Sequence, residues 1–403
     1  MGNVVPLESA PARSPRRRRR QSKTALVLGG GGFTGAVWEI GALRALDLLS
    51  VNRTVNQFDV MVGTSAGAFV AALTANGITP EQMMQAVNRQ QPSPYRDFHL
   101  DHLLRPNYRE FAIAGLQLPL ALLGVARSLG RERLSFSFVD LAIALADALP
   151  SGLYTGVGLE DYVQSVLTET DGADDFRKLA CELYLAATDL DTCERLVLGA
   201  EGWDDVPISL AVRASTALPM LYRPVELRGR DLVDGGIVST TNLDIAVEAG
   251  AKFIVVLNPL VPYVNPDGRV SAMGFPKIAY QTFKLLAYQR LHEMASHWKA
   301  RYPGVDIVLI EPDRDDELMF RTNILNYSSR LDVARHGFES VTIKLASDYE
   351  DLREVAARHG IEISAARVRK VVSHFADEKE KGRAWRRILE QTTGALLRQS
   401  AAD

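Results

Sequence analysis

The sequence predicts an α/β fold with a parallel-sheet core flanked by helices, and three observations carry that expectation. Short apolar runs of strand length alternate with helical segments along most of the chain. Glycine-rich or small-residue turns join the first two runs to the helices that follow them. Over 403 residues the apolar fraction is 47% and the charged fraction 24%, which excludes a disordered, collagenous or fibrous chain for the bulk of the protein. A strand–loop–helix–strand–turn–helix opening implies neighbouring parallel strands covered by helices.

The elements follow in order. Thr24-Ala-Leu-Val-Leu28 reads as a short buried strand and Gly29 to Gly32 as a loop. Residues 35–49 then read as a helix, with Val37, Ile40, Leu43 and Leu46 at near-helical spacing. Phe58 to Val62 reads as a second strand ending at Gly63, followed by a small-residue helix from Ala66 to about Ala75. Residues 91–150 break the pattern. Gln91-Pro-Ser-Pro94 opens a loop, and two apolar or amphipathic stretches follow, Phe111–Leu129 and Phe136–Leu149. This reads as a helical, lid-like insertion. The core resumes with strands at Leu183–Thr188 and Arg195–Leu198 and a helix at Ile208–Ala214. Leu232-Val233 leads into Asp234-Gly235-Gly236. A helix near Asn242–Ala249, a strand at Phe253–Leu257, a long helix at about Lys277–Lys299 and a strand at Asp306–Ile310 complete it. The domain reading is a disordered basic tail over 1–23, a core α/β domain over 24–330 and a helical C-terminal extension over 331–403.

Charge and cysteine usage narrow the function classes. The net charge of −3 excludes a uniformly basic nucleic-acid binder, and no nucleic-acid partner is expected. Two cysteines, Cys181 and Cys193, are too few for a disulfide scaffold and read as free thiols of a reducing compartment, with a single bridge as the alternative. Residues 1–23 carry seven basic side chains against Glu8, five of them the run Arg16 to Arg20. Such a run repels itself. It reads either as contact with an anionic membrane surface, worth about 1 kcal/mol per basic residue, or as a solvated tail or a start site set too far upstream. The apolar stretch after it, Ala25 to Leu28, is too short for a secretion signal, so export is not expected. The longest uncharged stretches, Val60 to Pro80 and Phe111 to Ala126, are interrupted by polar residues or by Pro119, whereas a membrane span needs about 20 predominantly apolar residues. The expectation is a cytoplasmic protein, soluble or peripheral on a membrane.

Three motifs bear on chemistry. Gly63-Thr-Ser65-Ala-Gly67 fits G-x-S-x-G between a strand and a helix, the context of a nucleophile elbow. Small residues let substrate approach Ser65, and the following helix N-terminus favours negative charge there. An ordinary turn that happens to hold a serine is the plain alternative, and the context favours the nucleophile. Gly29 to Gly32, with Phe33-Thr34-Gly35, exposes backbone N–H groups before a helix, an arrangement suited to an anion. It could form an oxyanion hole or hold a dinucleotide, since Gly30-x-Gly32-x-x-Gly35 also fits G-x-G-x-x-G. The second strand runs into the serine turn where a ribose-binding acid would be needed, so the oxyanion reading is preferred. Asp234-Gly235-Gly236 taken alone is an ordinary β-turn signal. Seven histidines are present, at 99, 102, 292, 297, 336, 359 and 374, and none lies in a glycine-rich or strand-end setting. A Ser-His-Asp esterase, with His292 or His297 as base, stays open as an alternative.

Taken in order, the glycine loop, the serine elbow and the Asp-Gly-Gly turn resemble the patatin-like phospholipase family over about residues 24–260. Ala214-Ser-Thr-Ala-Leu-Pro219 looks like the small-residue segment before that family's aspartate. The resemblance implies a three-layer α/β/α domain and a Ser–Asp dyad. Ser65 would be the nucleophile and Asp234 the base. Gly30, Gly31 and Gly32 would donate to the oxyanion, and Gly35, Gly63, Gly67, Gly235 and Gly236 would complete the motifs. No metal or cofactor is implied. The substrate would be a carboxylic ester of a phospholipid or neutral glyceride, cleaved through an acyl-enzyme. The family usually has a basic residue just before the last glycine of the first motif, and here that residue is Thr34. Its absence points from phospholipids toward neutral glycerides or simple esters. The apolar run Phe111–Leu123 in the insertion fits a lipid partner or a helix packed on the core. A non-catalytic lipid-binding protein of the same fold is the further alternative. The sequence leaves the oligomeric state undetermined.

Overall fold

The computed structural model describes residues 22–88, 95–116, 149–264, 268–322 and 327–367, with 369 and 371. The arginine run, most of the apolar insertion and the last part of the C-terminal stretch lie outside the described residues. The strands are β1 (Thr24–Leu28), β2 (Val60–Thr64), β3 (Gly152–Tyr154), β4 (Glu182–Asp189), β5 (Arg195–Leu198), β6 (Met220–Tyr222), β7 (Val225–Leu227), β8 (Arg230–Asp234), β9 (Phe253–Leu257) and β10 (Asp306–Ile310). The helices are α1 (Gly32–Leu49), α2 (Ala66–Ala75), α3 (Pro80–Asn88), α4 (Leu100–Leu103), α5 (Val157–Glu169), α6 (Ile208–Ser215), α7 (Leu243–Glu248), α8 (Phe275–Arg301), α9 (Glu317–Arg321), α10 (Arg330–Ser347) and α11 (Tyr349–Arg358). Residues 108–116 are also helical.

The main sheet runs β10-β9-β1-β2-β4-β8-β7, with β5 also on β4. Strands β10, β9, β1, β2 and β4 run parallel to one another, whereas β5 and β8 pair antiparallel with β4 and β7 pairs antiparallel with β8. The core is therefore the expected parallel sheet, extended at one side by antiparallel strands. These are joined by short connections that a strand–helix alternation does not show.

Alternation along the strands builds the layers. On β1, Leu26 and Leu28 face a cluster with α1, α2, α6 and α10, while Ala25 and Val27 face a cluster with α7 and α8. Right-handed crossovers explain the split. The chain moves from β1 to β2 and on to β4 in one direction, and reaches β9 and β10 in the other, so the two sets of helices cover opposite faces. The result is a three-layer α/β/α arrangement. Residues 330–358, read from sequence as the start of an extension, pack into this arrangement. A Cβ on Gly337 would lie 2.5 Å from the Trp38 carbonyl, and one on Gly41 would lie 2.2 Å from the Ala334 carbonyl, so α1 and α10 cross in backbone contact. Among the described residues no helix is long and apolar enough to cross a membrane.

Candidate active site

The site lies at the carboxyl ends of β1, β2 and β8. Ser65 occupies the tip of the turn between β2 and α2, at φ 55° and ψ −119°, a conformation costly for a residue with a side chain. The surroundings enforce it. Gly67 donates its N–H to the Gly29 carbonyl at 3.0 Å. A Cβ on Gly67 would lie 2.3 Å from the Leu28 carbonyl oxygen, so only glycine lets the elbow press onto the end of β1.

Strand register brings the aspartate to the serine. On β4, Ala186 is paired with Thr64 of β2, and Ala187 with Asp234 of β8. Because β5 takes residues 185–188 on β4's other edge, β2 and β8 must share one edge and run toward each other along it. Their ends meet over the Ala186–Ala187 step. Ser65 Oγ then donates to Asp234 Oδ2 at 2.5 Å, across 169 residues of sequence. Asp234 Oδ1 accepts from the Gly236 N–H at 2.7 Å, and Thr188 Oγ1 donates to the Asp234 carbonyl at 3.0 Å. Burial pushes the Asp234 carboxyl up from its ordinary 3.8 to about 6, with the bonds from Ser65 and Gly236 holding it back.

A residue without an assigned role in the sequence reading supports the elbow. Ser215, at the end of α6, accepts the Ser65 N–H at 2.9 Å and donates to the Ala186 carbonyl at 2.6 Å. It bridges the strained turn to the β4 residue where the two strand ends meet. Asn242 acts similarly one step away, donating to Thr64 Oγ1 at 2.8 Å. Neither could be found from spacing, because both roles depend on which strands become neighbours.

The glycine loop departs from expectation at one residue. Gly29 donates to the Leu257 carbonyl and Gly30 to the Thr240 carbonyl, both at 2.9 Å. Gly30 lies beside Ser65, since a Cβ on it would sit 3.5 Å from the serine Cβ. Its N–H, expected to serve an oxyanion, is already committed to strengthening the loop. The N–H groups of Gly31 and Gly32 have no acceptor among the described residues. They lie at the N-terminus of α1, whose dipole favours negative charge. Gly35 continues the first turn and packs on Pro259, Gly63 lies against Ala68, and Gly235 sits on the Ala186 carbonyl.

Ser65 and Asp234 line a pocket of about 1070 Å³, its solvent-open part included. Apart from the dyad and the glycine loop, its walls are almost wholly apolar, among them Val37, Ile40, Phe69, Leu73, Met83 and Phe98. No described histidine lines it. His292 is bonded to Glu311, His336 to Asp316 and His359 to Asp306, while His297 bonds within its own helix and His99 with His102. His374 is outside the described residues. Cys181 and Cys193 are free thiols, and neither lines the pocket. Among the described residues no group of three or more His, Cys, Asp or Glu side chains converges as a metal site. Beneath the loop, the Glu39 carboxyl of α1 is fully buried with neither oxygen hydrogen-bonded. Burial holds its pKa well above the ordinary carboxylate range, offset only in part by the nearby Gly29 N–H. The arrangement joins a hydroxyl, a buried carboxylate and unpaired backbone donors in the wall of an apolar cavity, the requirements of acyl transfer.

A family model described as Patatin-like phospholipase matches residues 26–247. The protein "Probable lipid hydrolase 463L" of Invertebrate iridescent virus 6 is 22% identical over 223 residues, covering 55% of this chain and 63% of that protein. The match thus spans less than two thirds of that relative's length. Among solved structures, VipD from Legionella pneumophila aligns over 94% of this chain and 85% of its own at 12% identity and a TM-score of 0.33. Full-length ExoU from Pseudomonas aeruginosa, solved with SpcU, aligns over 94% and 69% at 16% identity and a TM-score of 0.31. At such scores the structural likeness has no bearing on function.

Proposed function

Since the chain belongs to the patatin-like phospholipase family, which matches residues 26–247, we propose that it is a serine acyl hydrolase cleaving carboxylic esters of lipids. The observation that carries this reading is the 2.5 Å bond from Ser65 Oγ to Asp234 Oδ2 beside an apolar pocket.

In the proposed reaction Ser65 Oγ attacks the ester carbonyl carbon while Asp234 Oδ2 takes the hydroxyl proton. The carbonyl oxygen becomes an oxyanion, received by the Gly31 and Gly32 N–H groups. The N-termini of α1 and α2 both favour charge there. Asp234 passes its proton to the departing alcohol as the C–O bond breaks, leaving acyl-Ser65. Water, deprotonated by the same carboxylate, then releases the carboxylic acid. A carboxyl raised to about 6 is ionised at neutral pH and still a stronger base than an ordinary aspartate. Gly236 holds Oδ1, which leaves Oδ2 facing the serine.

The apolar lining supports a lipid acyl group as the part of the substrate held deepest. Thr34, at the position where a basic residue is usual, is buried in α1 and offers no cation to a phosphate. That supports neutral glycerides and simple esters above phospholipids. In this reading the protein works peripherally at a cytoplasmic lipid surface, with Arg16 to Arg20 adding attraction to an anionic one.

Fluorophosphonate labelling followed by intact mass tests the reading on wild type, Ser65→Ala and Asp234→Asn. One adduct on wild type, none on Ser65→Ala and much slower labelling of Asp234→Asn is the expected result. A folded wild type that stays unlabelled, with and without lipid vesicles, would replace it by lipid binding without catalysis.

A further inference from the structure

The pocket beside Ser65 has two built-in rulers. On α1 the lining residues Phe33, Ala36, Val37 and Ile40 form one helical face, and on α2 Ala66, Phe69 and Leu73 form another. Both helices begin at the site, α1 at Gly32 and α2 at Ala66, and lead away from it. Phe33 to Ile40 and Ala66 to Leu73 are each seven steps, so at 1.5 Å per residue both rulers give about 10 Å. Beyond them, Met83 of α3 lines the same cavity. Ile40 and Met83 are 2% exposed and Leu73 is 3% exposed, so this end is closed by side chains that are themselves buried. Leu218, Leu221 and Phe283, which also line the cavity, are partly exposed.

We infer that this cavity is a blind acyl pocket which selects medium-length chains, with Ile40, Leu73 and Met83 setting the limit. The inference rests on the acyl-hydrolase reading and adds its substrate class. An extended chain of tetrahedral atoms advances about 1.2 Å per bond, as the polypeptide backbone does, so about 10 Å holds about eight or nine carbons. Each methylene that enters an apolar wall adds about fourfold to kcat/KM. A methylene beyond the closed end adds nothing and forces the ester carbonyl away from Ser65.

The test is hydrolysis of p-nitrophenyl butyrate, octanoate and palmitate in one neutral detergent by wild type and Met83→Ala. Wild type should prefer octanoate over butyrate by up to about two-hundredfold and turn over palmitate more slowly than octanoate. Met83→Ala should raise the palmitate-to-octanoate ratio, because it removes bulk at the closed end. A wild-type rate that climbs on to palmitate, or is flat across the three, overturns the inference. So does a folded Met83→Ala whose ratio is unchanged. If Met83→Ala does not fold, rates of wild-type labelling by alkyl fluorophosphonates of graded length give the same answer. Failure of the underlying reading looks different, because then no ester of any length is turned over, or Ser65→Ala keeps the turnover.

Discussion

Replacing Asp234 by asparagine should abolish turnover and, above acid pH, stabilise the protein. The carboxyl has an ordinary value of 3.8 and is raised by burial to about 6. A raised carboxyl binds its proton more tightly folded than unfolded, so its contribution is fully present below the unfolded value and is lost as pH rises through the folded one. The shift of about 2 units corresponds to about 3 kcal/mol of stability lost by pH 7. Asparagine does not ionise and loses nothing over that interval. The difference in unfolding free energy between variant and wild type should therefore move in the variant's favour by about 2 kcal/mol between pH 4.5 and pH 8. Any fixed change from the altered bonds to Ser65 and Gly236 cancels in that comparison. Urea unfolding of both proteins at several pH values measures it. A difference that does not vary with pH, or one that favours wild type as pH rises, would refute the claim that Asp234 is a desolvated carboxylate. Wild-type kcat/KM should also rise about tenfold per pH unit below about 6 and level off above it.

Ser215→Ala leaves the Ser65 N–H and the Ala186 carbonyl without their bridge. It should cost about 1–3 kcal/mol in thermal or urea unfolding and lower kcat more than it alters KM. Ser65→Gly relieves the φ of 55°, so it should unfold at higher denaturant than Ser65→Ala by about 1 kcal/mol while both are inactive. Glu39→Gln removes a carboxyl whose pKa burial holds well above the ordinary carboxylate range. Its melting temperature should gain on wild type as pH rises and draw level in acid, a trend that a solvent-exposed carboxylate would not produce.

What the sequence disclosed and what it hid divide along local and non-local lines. The elbow at Gly63–Gly67 was legible because strand, tight turn and helix are all encoded within a dozen neighbouring residues. The core strands were legible because each is an unbroken apolar run. The strand β8 showed only as Leu232-Val233, since its first residues, Arg230 and Asp231, are polar and it lies near the sheet edge. Helix α5 was not among the expected elements, although Leu159, Tyr162, Val163 and Val166 repeat at helical spacing. The committed N–H of Gly30 had no signal, because its acceptor, the Thr240 carbonyl, is a backbone atom more than two hundred residues away. Ser215 could be seen as part of a small-residue segment, but its bridging role requires knowing that β2 and β8 meet over Ala186. The packing of α10 on α1 hinges on Gly41 and Gly337, two glycines that look in sequence like weak points of helices.

The meeting of β2 and β8 has a consequence for how activity is lost. Asp234 travels on the β7–β8 hairpin, which joins β4 through three residue pairs, Ala187 to Asp189, while β7 lies at the sheet's edge. The elbow, by contrast, is anchored in the central strands. A partial opening that frees only this hairpin would separate proton acceptor from nucleophile while the remaining core stays folded. Inactivation should therefore begin at lower denaturant than the spectroscopic transition. Turnover would then gauge whether one short edge ribbon is docked rather than whether the molecule as a whole is native.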